Sequence, residues 1–403
     1  MARQVVESAL AAGDNEVQVG LDPACGTGAF LLAMAERGVP QIRGFDLDEL
    51  AVSVARVAVP QADLSVVDAF DTVAEADLVV GNPPFVPPER QNKALRQRLG
   101  QRFSWLKGRF DLCVPFSALA VEYCRDNRCV GLVLPWPILS QPYGVGLRRE
   151  WLKRHKLVAI SGPHPFPGAS VRVVSVVLQK GRGPAPVPPH QIGADELLRL
   201  ANAPLDPNIE PGDIALTQWV RRRSRPLGEV CLVDTGLVAH GPDGPKSRLM
   251  RDELGPKVVP YADARDFFRG RTKFLSYEPE RMHRAKDPSM FEEPKIVIQR
   301  LRGKNPVRAA IDESGIYVGH TCTVVQPKSS CPVSLSRLLE LIKSPLASAI
   351  TRIERGYRLD LYPHDVAAFP IPLQWWDSPD TPIKEAFELN EQQLARCAAI
   401  DSF

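Results

Sequence analysis

The sequence predicts an α/β fold: a doubly wound, mostly parallel sheet, followed by a second domain of mixed α+β character. Over residues 1–180, short apolar runs alternate with segments of helical apolar spacing, a pattern typical of strands joined by covering helices. This alternation stops at residues 181–190, which are dense in proline and glycine. A chain of 403 residues has room for two domains, each with its own core.

Each strand of the first domain is predicted from a short, apolar, β-prone run. The strands are expected at residues 17–22, 41–45, 62–67, 77–81, 129–134, 157–161 and 172–178, with helices at 30–37, 48–57, 111–124 and 147–155. Ligands of such sheets lie beyond the carboxyl ends of the strands. The loops that follow the strands are therefore the place where a site is expected.

The second domain is predicted from a change in pattern. Short β-prone runs occur at residues 257–261, 295–300, 307–311 and 321–325, and one amphipathic helix is expected at 335–353. We therefore expect a first domain at 1–182, a linker and connecting segment at 183–220, and a second domain at 221–403.

Composition indicates an ordinary globular protein, with 44% apolar and 24% charged residues. The chain has no run of about eighteen apolar residues and no signal-peptide pattern, so we expect a cytoplasmic protein without a membrane anchor. The eight cysteines and seven histidines are dispersed, which predicts no zinc site, no disulfide framework and no metal requirement. Cys25 is expected to be a small buried thiol rather than a nucleophile.

The net charge of +3 hides an uneven distribution. Residues 1–77 carry 4 Lys or Arg against 13 Asp or Glu, whereas residues 78–182 carry 17 against 5. The basic residues form two clusters: Arg96, Arg98, Arg102, Lys107 and Arg109, and Arg148, Arg149, Lys153, Arg154 and Lys156. A polyanion bound to this region would explain the excess, and solvated helix faces are the alternative.

A glycine-rich turn follows the first predicted strand, in the run from Asp22 to Phe30. Gly26 and Gly28 allow a ligand to approach the backbone closely, at a spacing that differs from that of a phosphate loop. Asp22, at the end of the strand, is placed to face a positively charged amino group.

The ends of the next two strands also carry acidic residues. Asp46 is placed to accept both hydrogen bonds of a ribose diol, whereas Asp48 is better explained as the N-cap of the following helix. Asp68 is a candidate acceptor for an adenine amine, and Phe70 is placed to flank its ring. A turn aspartate and a core phenylalanine are the alternative interpretations of this third pair.

The tetrapeptide Asn82-Pro83-Pro84-Phe85 follows the fourth predicted strand. Its prolines end the strand and stiffen a loop that presents an amide and an aromatic ring. An exocyclic amine on a planar base is a poor nucleophile because its lone pair is delocalised. The Asn82 side-chain oxygen and the Pro83 carbonyl can each accept one amine proton, which localises the lone pair. Attack on a methyl donor then needs orientation rather than a strong base.

Together these motifs resemble those of the S-adenosylmethionine-dependent DNA adenine-N6 methyltransferases, most closely the gamma-ordered, TaqI-like class. The resemblance implies a seven-stranded Rossmann-like methyltransferase sheet, S-adenosylmethionine as cofactor and a flipped-out adenine as substrate. It places catalysis on residues 82–85 and base stacking on Phe85 and Phe166. The residues that it assigns to the cofactor are Asp22, Ala24, Gly26, Gly28, Asp46, Leu47, Asp68, Ala69 and Phe116.

One feature departs from the family pattern. Members usually carry a Thr-Pro pair and more chain before the first helix, where the cofactor's methionine carboxylate is held. Here the first helix is predicted at the start of the chain. We therefore expect either another group to hold that carboxylate or a truncated chain start.

The second domain resembles, more loosely, the C-terminal target-recognition domains of the same family. Its candidate DNA contacts are Arg300, Arg302 and Lys304. The resemblance implies double-stranded DNA as partner, a restriction-modification or related defence system, and any restriction endonuclease on a separate chain. The alternatives are methylation of an RNA base or a protein glutamine by a similar loop, and a catalytically silent DNA-binding subunit. The second domain and the basic excess favour DNA over glutamine, and Asp46 with residues 82–85 argues against a silent subunit.

Overall fold

The computed structural model describes residues 1–13, 16–166, 171–241, 244–301, 306–356 and 360–402. The chain divides into two compact units, the first comprising residues 1–214 and 354–356 and the second comprising residues 215–353 and 357–403. No helix in these described ranges is long and apolar enough to cross a membrane.

Helices and strands alternate along the first unit and mix along the second. The helices are α1 Ala2–Ala12, α2 Ala29–Glu36, α3 Glu49–Ala58, α4 Lys93–Arg102, α5 Cys113–Tyr123, α6 Val145–Arg154, α7 Ala194–Arg199, α8 Pro211–Arg222, α9 Leu227–Val230, α10 Ala264–Phe267, α11 Ser289–Glu292, α12 Leu335–Lys343, α13 Pro345–Arg355, α14 Pro363–Ala367, α15 Ile383–Ala386 and α16 Glu391–Ser402. The strands are β1 Val19–Asp22, β2 Gln41–Asp46, β3 Asp63–Val66, β4 Ala76–Gly81, β5 Cys124–Pro135, β6 Lys156–Pro165, β7 Arg172–Gln179, β8 Ser224–Pro226, β9 Cys231–Thr235, β10 Met250–Arg251, β11 Val258–Ala262, β12 Lys273–Ser276, β13 Lys295–Gln299, β14 Ala309–Asp312, β15 Tyr317–Val318, β16 Cys322–Pro327 and β17 Pro370–Pro372.

The first unit is built on a seven-stranded sheet in the order β3-β2-β1-β4-β5-β7-β6. The pairs among β1 to β5 are parallel, whereas β7 runs antiparallel to β5 and β6. β1 and β4 are buried along their whole length, as expected for central strands covered on both faces. The strand order reverses between β1 and β4, so the loops that follow them lie at the topological switch point. The predicted seven-stranded Rossmann-like sheet is confirmed.

One face of this sheet is covered by α1, α2 and α3. Their apolar side chains pack with alternate residues of the central strands, including Val6, Leu31, Val52, Leu78 and Val80, all fully buried. Gly28 has a φ of +93° at the start of α2, and a Cβ there would lie 3.2 Å from the Cβ of Ala55. Glycine at this position therefore allows α2 and α3 to approach closely.

Residues 183–214 were predicted as part of a linker, but they belong to the first unit. Arg148 on α6 is fully buried, and its Nε and Nη2 donate to the carbonyls of Ala203 and Asn202 at 3.1 and 2.7 Å. Nη2 also donates to Gln141 O at 3.0 Å. These bonds tie residues 202–203 to the unit, and they correct the expectation that Arg148 contacts a polyanion.

The single helix predicted at 335–353 is two helices. α12 ends at Lys343, and α13 begins at Pro345. Ser344 between them is extended, with ψ of 141°, because a residue that precedes proline is disfavoured in the helical region. The apolar periodicity continues across this break, which is why the pattern alone predicted one element.

The second unit has the mixed α+β character that was predicted. Its described residues form two four-stranded sheets, β10-β12-β11-β15 and β14-β13-β16-β9, and the short pair β17-β8. β13 and β16 pair antiparallel at the centre of the second sheet. Their buried residues pack with the aromatic pair Phe291 and Tyr317, whose ring centroids lie 4.6 Å apart.

Candidate active site at the carboxyl ends of the central strands

The ends of β1, β2 and β4 meet at one edge of the first sheet. β1 pairs with β2 and with β4 in parallel, so Asp22, Asp46 and Gly81 end neighbouring strands. The glycine turn follows Asp22, and Asn82 follows Gly81 directly. The fold thus brings together motifs separated by about sixty residues in the sequence.

Two hydrogen bonds hold the glycine turn against the end of β2. Cys25 N donates to Phe45 O at 2.8 Å, and Gly26 N donates to Asp46 Oδ2 at 2.7 Å. Gly26 has a φ of +49°, and no described atom lies within 4 Å of the position that a Cβ would take there. The space over Gly26 is therefore open to a ligand.

Asp46 and Asp48 have different roles, and Asp48 is the N-cap of α3 that the sequence predicted. Asp48 caps α3, accepting from Leu50 N at 2.9 Å and Ala51 N at 3.3 Å. Asp46 accepts one backbone bond on each oxygen, from Gly26 N and, at 2.9 Å, from Asp48 N. A carboxylate has about four lone-pair directions, so Asp46 retains acceptor capacity for a ligand.

Asp22 is buried, with 1% of its surface exposed. Its Oδ1 accepts from Ala24 N at 3.0 Å, and burial raises the pKa of its carboxyl to about 7. A Cβ at Gly81 would lie 2.7 Å from this oxygen, so the end of β4 passes directly against the Asp22 carboxyl. Burial likewise raises the pKa of the Cys25 thiol to about 12, as expected for a buried structural cysteine.

A cavity of about 290 Å³ opens at this edge of the sheet. It is lined by Pro23, Ala24, Asp46, Leu47, Val67, Asp68, Ala69, Phe70, Pro84, Val86, Leu95, Leu112 and Phe116. The rings of Phe70 and Phe116 meet edge to face at 4.7 Å between centroids. Most residues assigned to a cofactor from the sequence line this cavity, whereas Asp22, Gly26 and Gly28 lie outside its wall.

The Asp68 carboxylate already accepts hydrogen bonds within the protein on both oxygens, which the sequence did not indicate. Its Oδ1 accepts from Phe70 N at 2.9 Å, and its Oδ2 accepts from Arg98 Nη2 at 3.2 Å. The side chain thus caps the short turn 69–71 and pairs with a cation of α4. Its predicted bond to an adenine amine would add to these contacts and stays a prediction.

Several predicted polyanion contacts are ion-paired inside the first unit. The pairs are Arg98 with Asp68 and Asp71, Arg102 with Glu122, Arg109 with Glu89, and Arg154 with Glu150. The basic excess is therefore partly neutralised within the fold. The sequence could not show this because most of these partners lie twenty or more residues apart.

The loop at residues 82–85 carries an unusual polar atom. Asn82 is half-buried, and its Oδ1 is buried without a hydrogen bond from any described residue. A buried amide oxygen without a donor costs free energy, so the fold leaves an acceptor ready for a ligand donor. Phe85 and Phe166 are half-buried, and both pack on the core that lies beneath α1 and α2.

Two residues near the loop were missed as functional candidates. Gln91 and Asp111 both bind the backbone of Val86, which follows Phe85. Asp111 was expected only as the first residue of the helix at 111–124, and Gln91 lay in no predicted element. Only the folded contacts identify them, since a lone glutamine in a polar segment carries no sequence signal.

In the second unit, Arg300 follows β13 and is half-buried. Its guanidinium lies 5.2 Å from the centre of the Tyr362 ring, and its backbone N donates to Thr321 O at 3.0 Å. Burial, with a smaller contribution from Arg300, lowers the pKa of nearby His320. Arg302 and Lys304 lie outside the described residues.

Three family models match the chain. The model of the Eco57I restriction-modification methylase matches residues 61–161, and that of the TaqI-like C-terminal specificity domain matches residues 261–370. A third, the methyltransferase small domain, matches residues 5–103. The chain is thus similar to a restriction-modification methylase in one region and to a TaqI-like specificity domain in a later one. The region that matches the methylase model contains residues 82–85 and Asp111, and the region that matches the specificity-domain model contains Arg300.

Individual relatives are distant. The Type II methyltransferase M.BanIII of Aneurinibacillus aneurinilyticus is 25% identical over 168 residues, which cover 35% of this chain and 29% of that protein. The modification subunit of a putative type I restriction enzyme from Vibrio vulnificus YJ016 is 18% identical, covering 46% of this chain and 44% of that one, with a TM-score of 0.37. The type IIG restriction endonuclease BpuSI is 13% identical, covering 100% of this chain and 64% of its own, with a TM-score of 0.42.

Proposed function

We propose that the chain is an S-adenosylmethionine-dependent DNA methyltransferase that modifies N6 of adenine in a restriction-modification system. The observation that carries the proposal is the Oδ1 of Asn82, which is buried without a donor among the described residues and lies in the chain between β4 and Pro84 of the cavity wall. The matches to a restriction-modification methylase and a TaqI-like specificity domain support it. Double-stranded DNA is the proposed partner, and the specificity domain is proposed to read its sequence.

The amide of Asn82 activates the amine. Its Oδ1 and the Pro83 carbonyl each accept one proton of the target amine in a hydrogen bond, which pulls the nitrogen towards tetrahedral geometry. The fixed acceptors act where positive charge develops, and they need no reorganisation because the prolines stiffen the loop. Phe85 and Phe166 hold the extruded base by stacking, which offsets an unstacking cost of a few kcal/mol.

The residues around the cavity fit S-adenosylmethionine. Asp46 would hold the ribose with its remaining lone pairs, the open space over Gly26 admits the ligand to the backbone, and Phe70 and Phe116 would enclose the adenine. Asp22 would face the amino group of the methionine moiety. When bound, the cofactor supplies the electrophilic methyl group.

The proposal is tested by transfer of a labelled methyl group onto DNA, RNA and protein. We expect label on DNA adenine, and a loss of about a hundredfold or more in rate for Asn82→Ala, the scale on which a fixed polar group of an active site acts. Asn92→Ser is the matched control, since it replaces an exposed asparagine by another good N-cap for α4. Full labelling of DNA by Asn82→Ala would contradict this mechanism, and label on RNA or protein alone would contradict the substrate.

A further inference from the structure

Val86, the residue after Phe85, has both of its backbone polar groups bound. Val86 N donates to Asp111 Oδ1 at 3.2 Å. Val86 O accepts from Leu112 N at 3.0 Å and from Gln91 Nε2 at 2.7 Å. These four residues form what we call the Val86 clamp, and it fixes the chain immediately beyond the loop at 82–85.

The Val86 clamp joins this loop to the start of α5. Gln91 Nε2 donates its second bond to Phe110 O at 2.8 Å, and Asp111 Oδ1 also accepts from Cys113 N at 3.0 Å. Both Val86 and Leu112 line the cavity. The clamp therefore connects the loop that carries Asn82 to the part of the cavity wall at the start of α5.

The amide of Gln91 has opposing effects on the stability of the fold. The side chain is 7% exposed, and its Oε1 is buried without a donor among the described residues. A buried, unpaired amide oxygen destabilises the fold, and an apolar side chain of the same length would remove that cost. The two bonds that the amide nitrogen donates offset this cost, and both of them bridge the loop and the segment before α5.

We infer that Gln91 and Asp111 are positioning residues, which act through Val86 to hold Asn82 at the distance from the cavity that methyl transfer needs. The inference rests on the proposed function. A displacement of the reacting groups by about 1 Å is enough to lower a rate about a hundredfold, even when the changed residue touches no substrate. Loss of the clamp should therefore slow the chemical step more than it weakens the binding of cofactor or DNA.

The test compares Gln91→Met with Gln101→Met, a control at an exposed glutamine of α4. Single-turnover rate, cofactor Kd, DNA Kd and Tm are measured for each. We expect Gln91→Met to lose about ten- to a hundredfold in rate, with both Kd values within about threefold and the Tm within a few degrees of wild type. A rate within threefold of wild type overturns the inference, and so does a rate loss matched by an equal loss of cofactor affinity.

A second pair of variants isolates Asp111. Asp111→Asn keeps the Oδ1 acceptor and should keep most of the rate, whereas Asp111→Ala removes it and should behave like Gln91→Met. Equal rates for the two variants contradict a positioning role.

A measurement without turnover keeps the inference separate from the proposed function. Hydrogen–deuterium exchange at the backbone amides of Phe85, Val86, Glu89 and Arg90 should be faster in Gln91→Met and Asp111→Ala than in wild type, because the Val86 clamp orders this segment. If the wild type transfers no methyl group to DNA, the proposed function fails and faster exchange still supports the clamp. Unchanged exchange in both variants overturns the clamp whatever the activity.

Discussion

Asp22 combines full burial with an ionisable side chain at the edge of the proposed cofactor site. Burial raises the pKa of its carboxyl to about 7, so the group is mostly a neutral acid at pH 6 and mostly a carboxylate at pH 7.5. Only the carboxylate attracts a neighbouring positive charge. We therefore expect S-adenosylmethionine affinity to increase as pH rises from 6 to 7.5. Calorimetry with Asp22→Asn, which keeps the acceptor for Ala24 N, should give a nearly flat profile. A pH dependence that survives the substitution would place the titrating group elsewhere.

The raised pKa of Asp22 also predicts that the stability of the fold decreases as pH rises, whereas cofactor affinity increases. The pKa of Asp22 is raised in the folded protein, to about 7, so its contribution to stability is fully present below the unfolded pKa near 4 and is lost as pH rises through 7. The free energy of unfolding of Asp22→Asn, measured relative to that of wild type, should therefore increase between pH 5 and pH 7.5, by a few kcal/mol at most. Urea unfolding at the two pH values measures this change. A constant difference between the proteins would show that Asp22 does not titrate in this range.

At the scale of elements, β13 and β14 of the second unit share a buried ion pair. Lys295 Nζ donates to Asp312 Oδ2 and to Phe291 O, and the two charged side chains are 0% and 3% exposed. Asp312 also accepts from Ser314 N at 3.1 Å and Ile316 N at 3.0 Å. Burial opposes the ionised form of Asp312, but the bonds from Lys295 and Ser314 outweigh it and hold the pKa below its usual value.

Removing the lysine alone should leave the Asp312 carboxylate buried without a neighbouring positive charge. We expect Lys295→Met to lower the free energy of unfolding by about 3–5 kcal/mol. Because the pKa of Asp312 is depressed, its contribution is present above the unfolded pKa near 4 and is lost as pH falls through the folded value. Urea unfolding at neutral pH compares Lys295→Met with Lys343→Met, a control in the last turn of α12. Equal midpoints for the two variants would show that the pair contributes little.

The elements that the sequence predicted well are those with local signals. β1, β2 and β4 are short apolar runs that end at acidic or Asn-Pro motifs, so their ends and the loops beyond them could be placed before the fold was known. α4 could not, because Leu99 is its single buried residue and a mostly polar helix has no apolar stripe. Its ion pairs join Arg98 to Asp68 and Asp71, about thirty positions away in the chain.

The same limit applies to the candidate site. Asn82 and Asp46 are candidates because a motif or a strand end marks each of them, and Phe116 is a candidate because the family resemblance assigns it. Distant segments must pack before Gln91 Nε2 can make its two bonds and before Asn82 Oδ1 becomes buried without a donor among the described residues. Residue type and spacing therefore indicate candidate site residues, whereas the contacts that position those residues are found only in the tertiary structure.

At the scale of the whole molecule, the proposed function assigns methyl transfer to the first unit and sequence reading to the second. Arg300 tests this division because it is a half-buried cation in the region that matches the TaqI-like specificity-domain model. We expect Arg300→Ala to weaken DNA binding about tenfold, with cofactor affinity within twofold of wild type. The matched control is Arg308→Ala, an exposed arginine of the same region that lies over the Phe268 ring at 4.9 Å.

Fluorescence anisotropy at several salt concentrations gives both the DNA affinity and its dependence on salt concentration, the salt slope. A slope lower by about one identifies a phosphate contact, and an unchanged slope with relaxed sequence preference identifies a base contact. If Arg300→Ala and Arg308→Ala bind DNA as wild type does, the DNA surface of the second unit lies elsewhere. If Arg300→Ala instead loses cofactor affinity, the assignment of separate roles to the two units is wrong.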